Sequence, residues 1–89
     1  MPKRYISNKD FILREETDDW AILFCPKNRK TFFLNPISTA IWKFLDGNKT
    51  IEDLTDQIVS EFSHTPVDVN EDIIVFVNKL VQLGLVEEL

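Results

Sequence analysis

The chain has 89 residues, of which 44% are apolar and 28% charged, with a formal net charge of −5. That describes one small domain around one core, too apolar for disorder and with little area to spare for a deep, enclosed active site. The longest apolar run, Trp20 to Cys25, is six residues, far short of the roughly 20 that a transmembrane helix needs.

Residues 1–10 read as an N-terminal arm and 11–89 as a single domain. Phe11-Ile12-Leu13-Arg14-Glu15 has strand character, and Thr17-Asp18-Asp19 supplies turn chemistry, because short polar side chains bond the local backbone. Trp20 to Cys25 is β-branched and aromatic on both alternating faces, which suits the middle strand of a small sheet. Pro26 ends it, since proline brings no ladder N–H. A polar connection with Lys27, Arg29 and Lys30 leads to a third short strand, Thr31-Phe32-Phe33-Leu34. Connections this short predict an antiparallel meander.

At Asn35-Pro36 the period changes. Asn35 is a good N-cap, and Pro36 fits the first helical position, where a missing N–H costs nothing. Ile37, Ala40, Ile41, Phe44 and Leu45 recur at helical spacing, with Trp42 beside them, and Gly47 is expected to terminate this first helix. Thr50 caps a second helix whose expected buried face is Ile51, Leu54, Ile58, Val59 and Phe62. Ser63-His64-Thr65 breaks it. Thr65-Pro66 opens a third helix, with Asp68 placed for a capping box, and Gly84 closes it near Leu83. The expected fold is therefore α+β, a three-stranded antiparallel sheet followed by three helices, βββααα.

Apolar side chains of the third helix cover about half of its circumference, more than a small sheet needs to cover. Val75 stands apart from that arc, among Asp72, Lys79 and Gln82. It reads plainly as a lone exposed valine, or else Val75 and Phe76 border a shallow groove. The third strand sharpens the second reading. It is an edge of the meander, and an edge presents unpaired N–H and C=O groups. Phe32 and Phe33 point to opposite faces, so one is available to a partner if the other is core. A bare edge beside an apolar helix can accept an extended peptide as a fourth strand. The competing reading has both phenylalanines in the core and the edge covered by Tyr5-Ile6 of the chain's own arm.

Charge is unevenly spread. Residues 1–49 carry nine Lys/Arg against six acids, a balance of +3; residues 50–89 carry Lys79 alone against nine acids, −8. A helix-borne DNA reader needs Lys or Arg facing the grooves, and the third helix offers only Lys79, so nucleic acid is not the expected partner. No catalytic residue stands out. His64 is the only histidine and Cys25 the only cysteine, too few for an internal disulfide or a zinc site, and the carboxylates fall where helix first turns already explain them. Neither glycine belongs to a phosphate loop, so no enzyme, metal or cofactor is expected. No apolar stretch follows Lys3 and Arg4 as an export signal would require, so the cytoplasm is the expected compartment.

The block from Phe32 through Leu34-Asn35-Pro36, Ile41-Trp42 and Leu45-Asp46-Gly47 resembles the signature of the pyrroloquinoline quinone biosynthesis protein D (PqqD) family. Thr50-Ile51-Glu52-Asp53-Leu54, the run Asp72 to Leu80 and Gly84-Leu85-Val86 extend the resemblance over roughly residues 11–87. It implies a winged-helix-like domain that serves as a recognition element for the leader of a ribosomally made precursor peptide. Such an adaptor presents the leader to a modifying enzyme, a radical SAM enzyme or a leader peptidase. The leader would add to the third strand and pack on the third helix. The matching positions are Thr31, Phe32, Phe33 and Leu34 on the strand, and Asp72, Val75, Phe76 and Lys79 on the helix. Two other readings stay open: a winged-helix DNA-binding module, and a subunit that only stabilises an enzyme. The same exposed edge could also pair two copies of the chain.

Overall fold

The computed structural model describes residues 3–17, 20–62, 65 and 67–89. The elements run β1 (Tyr5–Ser7), β2 (Ile12–Glu15), β3 (Ala21–Phe24), β4 (Thr31–Leu34), α1 (Pro36–Phe44), β5 (Asp46–Lys49), α2 (Ile51–Glu61), α3 (Val69–Gln82) and β6 (Val86–Glu88). Among them the strands form two antiparallel sheets of three, ordered β2-β3-β4 and β5-β1-β6.

The predicted meander is the first sheet. Its pairing sets Leu23 opposite Leu13 and Phe32, and Ala21 opposite Leu34. With a period of two, Ala21, Leu23 and Cys25 turn inward and are buried, while Ile12 and Phe33 turn outward and are exposed. The helices cover the inner face. Leu54 and Ile58 of α2 join Ile73, Val77 and Leu80 of α3 and Ile41, Trp42 and Leu45 at α1 in one core.

The second sheet corrects the expected βββααα order. Tyr5–Ser7, inside the stretch read as an arm, is the middle strand of that sheet, and Tyr5 is buried. It pairs with Asp46–Lys49 on one side and Val86–Glu88 on the other, with a bulge between Tyr5 and Ile6. Backbone bonds extend the tie: the Ser7 N–H donates to the Leu45 carbonyl (3.0 Å), and the Leu89 N–H to the Arg4 carbonyl (2.8 Å). Lys3 and Glu88 pair at 3.0 Å across this sheet, and that hydrogen bond raises the Lys3 pKa above its ordinary value.

Helix ends follow their chemistry in three places. Asn35 caps α1, accepting from the Ser38 N–H at 2.8 Å, with Pro36 in the first turn. Thr50 and Asp53 exchange both bonds of a capping box at 3.2 and 3.1 Å. Gly84, at φ +83, ends α3: its N–H donates to Val81 and the Leu85 N–H reaches back to Leu80, a paired closure that requires a left-handed residue.

Elsewhere the structure differs from expectation. Gly47 does not terminate α1, which stops at Phe44 with Leu45 as its cap; Gly47 lies inside β5 at φ +91, with Ile6 and Leu89 packed over it. Helix α3 starts at Val69, later than Thr65-Pro66 predicts, and the Asp68 side chain makes no cap bond. Val59 is 50% exposed because α2 buries only the narrow stripe through Leu54 and Ile58. The expected turn at Asp18-Asp19, the break at Ser63-His64 and the proline device at Pro66 lie outside the described residues.

Candidate functional site

β4 has one strand neighbour among the described residues, β3, so its far edge is open. The N-terminal segment that could have covered it is engaged in the other sheet. The register identifies which backbone groups the edge offers. The Cys25 N–H donates to the Lys30 carbonyl at 3.0 Å, which makes Cys25 and Lys30 a hydrogen-bonded pair in the same register as Leu23–Phe32 and Ala21–Leu34. Hydrogen-bonded pairs alternate with non-bonded pairs along an antiparallel ladder. Phe32 and Leu34 therefore bond to β3, and the N–H and C=O groups of Thr31 and Phe33 point to the open edge.

The side chains divide the same way. Leu34 is buried in the core at 4% exposure, and Phe32 is half-buried against it, 6.2 Å from the ring of Phe11. Phe33 is 74% exposed on the outer face, where its ring lies 5.8 Å from Trp20. Thr31 is exposed beside it.

At the end of β4 a cavity of about 210 Å³ opens between the start of α1 and the first half of α3. Ile37, Ile41, Val69, Ile73 and Phe76 give it apolar walls, and Asp72 stands among them. Of the four helical positions singled out from the sequence, Asp72 and Phe76 thus meet at this cavity. Val75 does not line it and is 68% exposed; Lys79 is exposed one helical turn beyond Phe76. The cavity also uses Asn35, Ile37 and Ile41, which the sequence presents only as a cap and a core stripe, and Ser38, which it does not single out. The signal that could have found them is adjacency: the first turn of a helix that begins one residue after an edge strand must border whatever docks on that edge.

A larger cavity, about 550 Å³, lies on the opposite flank of α1, lined by residues such as Glu15, Trp20, Lys43 and Phe62. None of the predicted site residues reaches it. Among the described residues no group of three or more His, Cys, Asp or Glu could hold a metal ion, and no helix is long and apolar enough to cross a membrane. Cys25 is a free thiol buried under the first sheet, while His64 lies outside the described residues.

Comparison with known proteins bears on this arrangement. The family model described as coenzyme PQQ synthesis protein D (PqqD) matches residues 20–86. No curated protein matches the chain. Two solved structures share the fold. One is TbiB1 in complex with the TbiA(beta) leader peptide, at 24% identity and a TM-score of 0.72, over 92% of this chain and 94% of that one. The other is the heterocyclase TruD, at 19% identity and a TM-score of 0.67; it covers 99% of this chain but only 12% of TruD.

Proposed function

The chain belongs to the coenzyme PQQ synthesis protein D family, and on that premise we propose that it is a non-catalytic adaptor that binds the leader segment of a ribosomally synthesised precursor peptide. The leader adds a strand to the open edge of β4 and is presented to a modifying enzyme, a radical SAM enzyme or a leader peptidase. The observation that carries this reading is the open edge at Thr31 and Phe33 ending at an apolar cavity under α3. TbiB1, of similar fold, is described with a leader peptide, and in TruD the fold forms a small part of a heterocyclase chain; both support the reading.

Energetics require both parts of the site. Two edge residues offer four backbone groups, at about 1 kcal/mol net each. Association alone costs at least about 4 kcal/mol. Strand pairing by itself therefore roughly breaks even, and affinity must come from side chains. An aliphatic side chain buried in the cavity adds about 2 kcal/mol, and another laid on Phe32 and Phe76 adds a comparable amount. Backbone bonding thus sets register, and the cavity sets selection.

Titration of the labelled protein with the leader of a precursor encoded beside its gene tests the reading. Amide shifts should concentrate at residues 30–35 and 72–79. Shifts confined to α2, or none at saturating peptide, would refute it.

A further inference from the structure

The groove between β4 and α3 has ends of opposite charge. At one end Asp72 stands in the wall of the apolar cavity next to Asn35. At the other end are Lys30 and Lys79. Lys30 shares the inward parity of Phe32 and Leu34 along the strand, and Lys79 shares the helical stripe of Asp72 and Phe76. The two lysines lie at the same end because the molecule ties those parts together. Asn8 donates from its side chain to the Gly84 carbonyl at 3.0 Å and from its backbone to the Leu85 carbonyl at 2.8 Å, just past α3. Asn8 also accepts from the Asp10 N–H at 2.9 Å, and Asp10 accepts from Lys27 at 3.3 Å, in the β3–β4 connection. Helix α3 therefore runs antiparallel to β4, with its start at Asn35 and its end near the Lys27–Lys30 turn.

Among the described residues, five of the chain's ten Lys and Arg side chains are matched: Lys3 with Glu88, Arg14 with Glu16, Lys27 with Asp10, Lys43 with Glu15 and Lys49 with Asp46. Lys30, Lys79 and Asp72 have no ion pair among the described residues. Asp72 to Lys79 spans about 10 Å along the helix, and Lys30 to Leu34 about 13 Å along the strand, so the charged poles are about four strand residues apart.

Resting on the peptide-binding reading, we propose that the groove selects a strand with a basic residue at its cavity end, an acidic residue four positions later, and one apolar side chain on the same face between them. The strand runs antiparallel to β4, the orientation of every strand pair among the described residues and the one pairing geometry favours. The basic residue is then the N-terminal one. It meets Asp72 while its apolar neighbour enters the cavity, and the acidic residue meets Lys30 and Lys79.

Three synthetic nine-residue peptides of equal length test this: one with Lys before Glu at that spacing around a Val/Leu centre, one with the two charges exchanged, and one with Gln at both places. The wild-type protein should bind the Lys-first peptide about tenfold more tightly than the exchanged one at low salt, with the Gln peptide between them. The preference should shrink at high salt. The triple variant Lys30→Glu, Asp72→Lys, Lys79→Glu should invert it, and the single variant Asp72→Asn should weaken it; all three sites are exposed, and thermal melts verify folding. Equal affinity for the three peptides, with shifts at residues 31–34, would overturn the charge selection and leave the peptide-binding reading standing. Preference for the exchanged order would overturn the direction. Binding of none of them would remove both.

Discussion

Phe33 packs against Trp20 on the outer face of the first sheet, with ring centroids 5.8 Å apart and planes tilted by 41°. Its neighbour Phe32 turns the other way, onto Phe11 and the core. The two phenylalanines therefore differ in what they hold. Phe33→Ala should cost about 1 kcal/mol or less, the worth of one exposed aromatic pair. Phe32→Ala should cost about 2 kcal/mol or more, because it opens space against Leu23 and the helices. Denaturant unfolding of both variants checks this, and equal losses would show that the outer-face ring is as much a part of the core as the inner one.

The Thr31 N–H points away from β3, so proline at that position removes a group that no strand among the described residues uses. Thr31→Pro should melt near the wild-type temperature and bind a leader peptide about fivefold more weakly, the loss expected for one backbone hydrogen bond. Phe32→Pro removes a ladder bond to Leu23 instead and should unfold readily. A folded Thr31→Pro variant with unchanged calorimetric affinity would mean that no guest strand pairs there.

The meander, the caps at Asn35 and Thr50 and the glycine stop at Gly84 were legible because each is written within a few consecutive residues. The second sheet was not. Asp46-Gly47-Asn48-Lys49 has the composition of a turn, and Asp, Asn and Gly are poor strand formers. It becomes a strand only because Tyr5–Ser7, about forty residues earlier in the chain, lies beside it, itself flanked on its far side by Val86–Glu88. Each of these strands is too short to show a period, so local pattern carried no trace of them. The same limit applied to the site. An open edge could be read from a short last strand, but Ile37, Ile41, Val69 and Ile73 follow the same helical spacing whether they face a packed core or a cavity. Only the three-dimensional gap tells the two apart.

Asp46 fixes the entry to β5. Its carboxylate accepts from Lys49 Nζ at 2.8 Å and from the Asn48 N–H at 2.9 Å, and these bonds, the lysine's first, hold its pKa below the ordinary aspartate value. The unfolded chain takes up this proton at a higher pH than the folded chain does. The stabilisation is therefore complete above the ordinary aspartate pKa and is lost as pH falls through the lower folded value. Asp46→Asn cannot titrate, so its melting temperature should fall less steeply than the wild type's as pH drops below the ordinary aspartate range of about 4. Parallel profiles would show that this carboxylate is not held in solution.

Ser38 offers a way to close the cavity without cutting into the core. It is half-buried in the first turn of α1, lines the cavity opposite Val69 and Ile73, and its backbone N–H already serves the Asn35 cap whatever side chain it carries. Leucine at this position can extend into the apolar space between Ile37 and Phe76, and leucine has a higher helix propensity than serine. Ser38→Leu should therefore be as stable as the wild type or slightly more so, while peptide affinity falls about tenfold or more because the pocket for the guest's aliphatic side chain is filled. Melting curves and calorimetric titration measured on the same sample separate the two effects. Wild-type affinity in a variant of undiminished stability would mean that the guest's anchoring side chain lies elsewhere along β4.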